Sequence, residues 1–222
     1  MLFVYLGRSA GLASDSFYVI GNAIQCAALP GLFAMGNIIA DERLSKTLSL
    51  ILVTPAARVP LFLGRSLPVI VNGFAVSAFT LIVSLTVFGI SMPLTAVLPV
   101  ALTILVCSVS CTGLGLVNAA LGLRVREIAV TSNVVLGILM VFCGVNIPLS
   151  RLPHWMRATA EYLPLTRGIA AARRLASGAP LHSEIRPIVF EFLVGLVYAV
   201  AGMLLLRLFE FESRRRSSLD RA

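Results

Sequence analysis

Very few side chains of this sequence combine reactive chemistry with a placement that a binding or transport site could use. Glu191 is the only acidic residue well inside a long apolar run, and a charge in hydrocarbon usually marks an ion or substrate path. Because Pro187 is close by, we interpret Glu191 as reaching the membrane interface, with a place in a substrate path as the alternative. Asn146 is a second polar candidate for that path, or for a hydrogen bond to a neighbouring helix.

No motif of a catalytic or nucleotide-binding site is present in the sequence. Lys46 is the only lysine, and it lacks the surrounding glycines whose amides would hold a phosphate. The sequence contains neither H-E-x-x-H nor G-x-S-x-G. The four cysteines lie in apolar runs, where cysteine behaves as a small hydrophobic residue. We therefore predict no catalytic residue, no metal site and no cofactor in this chain.

The composition indicates that these few polar residues belong to a membrane protein. Of the 222 residues, 58% are hydrophobic and 13% are charged, whereas a soluble domain has about 25% charged residues. The net charge is +8, and basic residues that flank membrane spans on the cytoplasmic side account for such an excess. We therefore expect the lipid bilayer, and not a nucleic acid, as the surrounding partner.

Charged residues divide the chain into apolar runs, and a helix needs about 20 apolar residues to cross about 30 Å of hydrocarbon. Five full spans result, and together they predict an all-α polytopic membrane protein with a single domain over residues 1–222. Pro30 and Gly31 should kink the first span. Residues 1–6 resemble the end of a further span, so we expect a preceding helix to be missing. The spans are about 17–39, 67–88, 96–121, 128–147 and 187–209.

Small residues at four-residue spacing predict close helix packing in two of these spans. They are Cys111, Gly115 and Ala119 in the third span, and Gly195 and Ala199 in the last. We place these contacts in the core of the chain rather than between copies.

The lysine and arginine counts orient the spans. Eleven of these residues lie in 41–65, 124–127 and 207–222, and seven lie on the opposite side. Positive loops stay in the cytoplasm. The C-terminus is therefore predicted to be cytoplasmic, and the chain to lie in the inner (plasma) membrane.

Two segments outside the spans carry the most functional information. In residues 42–54, leucine and isoleucine recur at helical spacing, which predicts a short amphipathic helix on the cytoplasmic surface. Residues 148–186 are too many for a tight turn and too polar to cross, which predicts short helices in the opposite interface.

Together these segments resemble the membrane subunit of ABC-2 type transporters, the permeases of drug, polysaccharide and lipid exporters. The first segment matches the family pattern Glu-Arg-x-x-x-Thr-Leu-x-x-Leu-x-x-Thr-Pro, with Ile51 in a usual leucine place. The second matches a Ser-Gly-x-x-x-Pro-Leu-Ser and Leu-Pro-x-Trp block, with Cys143 in a usual serine place, and then a Leu-Pro-Leu-Thr-x-Gly block.

The resemblance implies six spans in the family and a role for each matched block. The residues that would couple the permease to an ATPase are Glu42, Arg43, Thr47, Leu48, Leu52, Thr54 and Pro55. An extracellular gate of re-entrant helices would be formed by Gly144, Pro148, Leu152, Pro153, Trp155, Leu163, Pro164, Thr166 and Gly168.

The resemblance also implies an obligate ATPase subunit, which would bind ATP and Mg²⁺, and a second permease copy, identical or paralogous. The implied activity is export of an amphiphilic drug, a lipid or a lipid-linked glycan. Drug export, and with it antibiotic resistance, is the commonest assignment at this size. The alternatives are a membrane scaffold or assembly protein without a motor, a truncated permease without function, and an ion-driven carrier, which would need intramembrane charge or inverted repeats.

Overall fold

The structure is a computed structural model that describes residues 14–37, 58–122 and 127–219, with the backbone alone for 58–63 and 210–219. These described residues are predominantly helical and contain no strand. The helices are α1 (Asp15–Gln25), a π-helical turn (Pro30–Ala34), α2 (Arg58–Phe88), α3 (Leu94–Leu121), α4 (Ile128–Phe142), a 3₁₀ turn (Leu149–Arg151), α5 (His154–Ala160), α6 (Thr166–Ala176) and α7 (Leu181–Leu219).

Four helical segments of the described chain are long and apolar enough to cross a bilayer: Asp15–Asn37, Gly64–Phe88, Leu94–Leu121 and Leu181–Phe209. They overlap four of the predicted spans, and the prediction of an all-α polytopic membrane protein is confirmed. The last helix begins six residues before Pro187, which the sequence suggested as its start. A proline removes one backbone donor and here does not end the helix.

The fourth predicted span, 128–147, is shorter in the structure. Helix α4 ends at Phe142 and has 15 residues, which gives a length of about 22 Å at 1.5 Å per residue. Gly144 follows in the left-handed conformation, with φ 71°, and turns the chain away from the helix axis. Helix α4 is therefore an apolar helix that falls short of the roughly 30 Å of hydrocarbon.

The first span is interrupted where the sequence places a proline and a glycine. A π-helical turn, Pro30–Ala34, replaces regular α-helix there, and side chains of two neighbouring helices bond to carbonyls of this span. The Ser77 hydroxyl donates to the Ala23 carbonyl (2.8 Å), and the Asn118 amide donates to the Leu32 carbonyl (3.2 Å). Such bonds are required because hydrocarbon offers a free carbonyl no partner.

Helices α3 and α7 cross so closely that their backbones touch, and glycines make this possible. A Cβ added to Gly113 would overlap the carbonyl oxygen of Gly195, and one added to Gly195 would lie 2.5 Å from the Cα of Ser110. A Cβ added to Gly202 would lie 2.7 Å from the carbonyl carbon of Leu116. The close packing predicted for these spans therefore lies in the core of the chain.

We expect Gly113→Ala to lower the free energy of unfolding by about 1–3 kcal/mol, because the two backbones must move apart to admit the methyl group. The matched control is Gly137→Ala on α4, where an added Cβ meets nothing within 4 Å. Thermal unfolding of both purified variants in one detergent measures the difference. Equal midpoints for the two variants would contradict the packing described above.

Candidate functional site

Helix α6 begins in the middle of the bundle and not at its surface. Its Gly168 packs against the side chain of Cys107, which lies thirteen residues after the start of α3 at Leu94. At 1.5 Å per residue this is about 20 Å along that helix. Helix α7 begins at Leu181, just after α6 ends, and runs back past the start of α6. The two helices therefore form a re-entrant hairpin whose short arm is α6.

The buried carboxylate of Glu191 binds the N-terminus of α6. Its Oε1 accepts a hydrogen bond from the Leu165 N–H (2.6 Å), and its Oε2 accepts one from the Gly168 N–H (3.1 Å). Glu191 is 1% exposed. The first N–H groups of a helix have no partner within the helix and carry positive partial charge, so an anion stabilises them. Inside a membrane this need is acute, since water is absent.

Two residues of the Leu-Pro-Leu-Thr-x-Gly block make this arrangement possible. Leu165 adopts the left-handed conformation, with φ 75°, although it is not a glycine, and strain of this kind persists only where the surrounding contacts impose it. Leu165 is completely buried. At Gly168 any side chain would overlap the sulfur of Cys107. The residues of this block are therefore explained by the structure: Leu165 is fixed in the buried turn before α6, and Gly168 leaves room for Cys107.

Arg173 joins the other end of α6 to two separate parts of the chain. Its Nε and Nη2 donate to the Phe17 carbonyl (3.1 and 2.9 Å), its Nη1 donates to the Gly144 carbonyl (2.8 Å), and its Nη2 donates to the Val145 carbonyl (2.8 Å). The guanidinium also lies over the Phe17 ring, 3.4 Å from its centroid.

A glycine on the first span gives Arg173 the space that it occupies. A Cβ at Gly21 would overlap Nη2 of Arg173 and would lie 2.9 Å from the Val145 carbonyl oxygen. Arg173 therefore binds the start of α1 and the turn after α4 together, and links both to α6.

The structure brings together several residues that the sequence nominated for the gate. The Gly144 carbonyl binds Arg173, and the Pro164 carbonyl accepts a hydrogen bond from the Cys143 thiol (3.1 Å). Thr166 and Gly168 form the first turn of α6, and Leu163 is a half-buried neighbour of the core.

Other nominated gate residues lie just before α5 or in its first turn, nearer the surface. Trp155 is 64% exposed and makes an edge contact with Phe142, at 6.1 Å between ring centroids. Pro153 is exposed, Pro148 is half-buried, and Leu152 is buried. An exposed tryptophan beside a membrane helix is typical of headgroup depth.

The two polar candidates for the substrate path, Glu191 and Asn146, have different hydrogen-bond partners in the structure. Glu191 is buried and binds the start of α6, ten residues after α7 begins; its position relative to the membrane interface stays a prediction. Asn146 accepts a hydrogen bond from the Asn22 amide (3.1 Å) and thereby links to the first span. A substrate-path role for either residue stays a prediction.

The proposed coupling residues lie outside the described residues. They are Glu42, Arg43, Thr47, Leu48, Leu52, Thr54 and Pro55. Arg173, by contrast, was missed by the sequence, where it counted only as one loop charge among several. Its position in an amphipathic helix with apolar neighbours at helical spacing was the signal that could have identified it.

These observations define a class of protein: a polytopic α-helical membrane protein with a half-helix bound inside its bundle. The family model for the ABC-2 type transporter matches residues 1–175, which is most of the chain. The chain belongs to this family, and it is the transmembrane permease component of an ABC transporter and not the ATPase. No curated protein and no solved structure gives a significant match to the sequence.

Proposed function

We propose that this chain is the membrane subunit of an ATP-driven exporter that moves an amphiphilic drug, lipid or lipid-linked glycan out of the cytoplasm. Membership of the permease family implies partnership with an ABC ATPase. In the proposed assembly, two ATPase subunits bind ATP and Mg²⁺, and a second permease copy completes the membrane part.

The observation that supports this proposal most strongly is the binding of α6 inside the bundle. A half-helix bound at its start by Glu191 and at its end by Arg173 blocks one half of the bundle without crossing it. Release of either contact would allow α6 to move. This arrangement has the properties of a gate on one side of the membrane.

The connections within the chain supply a route from the ATPase to that gate. Residues 42–54, the proposed coupling helix, follow the first span in sequence. At its other end the first span is bound by Arg173 through the Phe17 carbonyl. Closure of the ATPase pair would move the coupling helix, then the first span and, through Arg173, helix α6.

The sidedness of the proposal follows from charge. Helices α2, α3, α4 and α7 are joined in an alternating order, so the 89–93 turn and the hairpin of α6 lie at the same end. The opposite end adjoins the basic segments, which favour the cytoplasm. The gate then faces outward, and the C-terminus lies in the cytoplasm of a cell whose plasma membrane holds the transporter.

Reversing both charges of the coupling segment, with Glu42→Arg and Arg43→Glu, should uncouple the transporter. We expect ATP hydrolysis by the purified complex to persist while export of the transported amphiphile falls about tenfold, the usual size of a coupling between sites. Arg221→Glu, in the C-terminal tail, is the control for a charge reversal outside the coupling segment and should export normally. Wild-type export by the double variant would refute the coupling role.

A further inference from the structure

A cavity of about 220 Å³ lies between α1, α2 and α4. Because Asn22 lines it and also bonds to Asn146, the cavity lies in the same half of the bundle as the re-entrant hairpin. Leu29 is 40% exposed in the described part of the chain and lies at the cavity wall. The cavity therefore opens at the surface of the described part of the chain.

Two polar side chains of largely buried residues line this cavity. Gln25 is 6% exposed and Ser84 is 8% exposed, and both line the cavity. The fully enclosed polar atoms without a hydrogen-bond partner in the described chain belong to Ser110, Asn118, Thr166 and Arg167. The Gln25 amide and the Ser84 hydroxyl are not among them, and both residues line the cavity. In a membrane helix, where water is scarce, polar side chains that line a cavity can bond to the polar head of a ligand there.

The other groups around the cavity restrict the chemistry of that ligand. Among the described residues the lining contains no charged side chain. A phosphate or an ammonium group would therefore lose its hydration without compensation. The rest of the lining is mostly apolar and includes Val19, Phe88, Leu136 and Met140. The volume is below the 300–1,000 Å³ or so of sites that enclose a drug-sized ligand, so only part of a ligand enters.

We propose that this cavity binds the uncharged, hydrogen-bonding head of an amphiphile whose apolar part stays in the bilayer. Gln25 offers both a donor and an acceptor, and Ser84 offers a hydroxyl that can act as either. A sugar hydroxyl, an amide or an ester group meets these requirements. The proposal rests on the proposed function, since it names the chemical class of the exported substrate.

Native mass spectrometry of the full chain measures this preference directly. The chain would be released from detergent with three lipids in competition: dioleoyl monoglucosylglycerol, dioleoyl phosphatidylglycerol and the cationic dioleoyl trimethylammonium propane. We expect the glucosyl lipid to be retained about tenfold over either charged lipid, which corresponds to one or two net hydrogen bonds. Dodecyl glucoside, added in a second series, separates a small amphiphile from a two-chain lipid as the ligand.

Removing the two polar groups should remove the preference. In Gln25→Leu with Ser84→Ala, the retained ratio should fall to about one, because the donor and acceptor groups that would bond to the sugar hydroxyls have been removed. The unfolding temperature should change little. Thr86→Val is the matched control on the same helix, since that hydroxyl bonds only to its own helix, at Ile82 and Val83. If the double variant is not folded, Ser84→Ala alone should lower the ratio of retained glucosyl lipid to charged lipid at least twofold.

Three results would overturn the proposal: equal retention of charged and uncharged lipids, an undiminished preference in the double variant, or a lost preference in the Thr86→Val control. None of these measurements involves the ATPase. A negative result in the lipid competition would contradict this binding site but not the permease role. A negative result in the coupling experiment would contradict the coupling role but not the lipid preference.

Discussion

Replacing Glu191 with leucine should lower the free energy of unfolding by about 2–6 kcal/mol, because the N–H groups of Leu165 and Gly168 would each lose a buried acceptor at about 1–3 kcal/mol. Leucine fills much of the same space, so the loss comes from the acceptor and not from a cavity. Glu191→Gln should have a smaller effect, since the amide keeps one acceptor oxygen. The unfolding temperatures of the wild type, Glu191→Leu and Glu191→Gln, purified in the same detergent, measure these differences.

The control for this series is Glu161→Gln in the same hairpin. Glu161 is exposed and pairs with Arg167 at 3.3 Å, and exposed pairs contribute about 0–1 kcal/mol. Export should follow the same order as stability, with the leucine variant lowest. A leucine variant as stable as the Glu161 control would show that the carboxylate does not bind the start of α6.

Replacing Arg173 with lysine should be nearly as damaging as removing the side chain altogether. An ammonium group is a compact charge and cannot reach three carbonyls in two directions, as the planar guanidinium does. Hydrogen bonds from a charged donor contribute about 1.5–3 kcal/mol each, so we expect a loss of about 3 kcal/mol or more. Amide hydrogen exchange should rise at the start of α1 and in the turn after α4.

The adjacent arginine is the control for that substitution. Arg174 is half exposed and makes two hydrogen bonds to Glu184, at 2.6 and 2.7 Å. Arg174→Lys keeps the charge and one of these bonds, and neither bond involves α1 or the turn after α4. We expect its unfolding temperature to change little and its exchange pattern to match the wild type. If Arg173→Lys behaves in the same way, the proposed link between α6 and the first span is absent.

The sequence predicted the spans well because charged residues rarely lie in hydrocarbon. The sequence predicted a kink at Pro30 and Gly31, and the structure has a π-helical turn at that place. The end of the fourth span was less accurate, because the apolar run continues through Val145 while the turn is set by Gly144 and by the carbonyls that Arg173 binds. Hydrophobicity alone contains no signal for that turn.

The re-entrant depth of α6 could not be predicted from its own residues. The helix is polar enough to lie in an interface, and its position inside the bundle depends on a carboxylate 23 residues after Gly168. The contact between Arg173 and Phe17 spans 156 residues. Contacts of this kind depend on the tertiary fold. The cavity near Gln25 likewise arises only where three helices meet.

The most direct test of the account is purification of the tagged full chain from its native host in mild detergent, followed by mass spectrometry and an ATPase assay. The account predicts a stoichiometric partner that carries nucleotide-binding motifs, together with ATP hydrolysis that vanadate inhibits. An intact, folded chain that elutes without any ATPase would contradict the proposed transporter and would favour a scaffold or a copy without function.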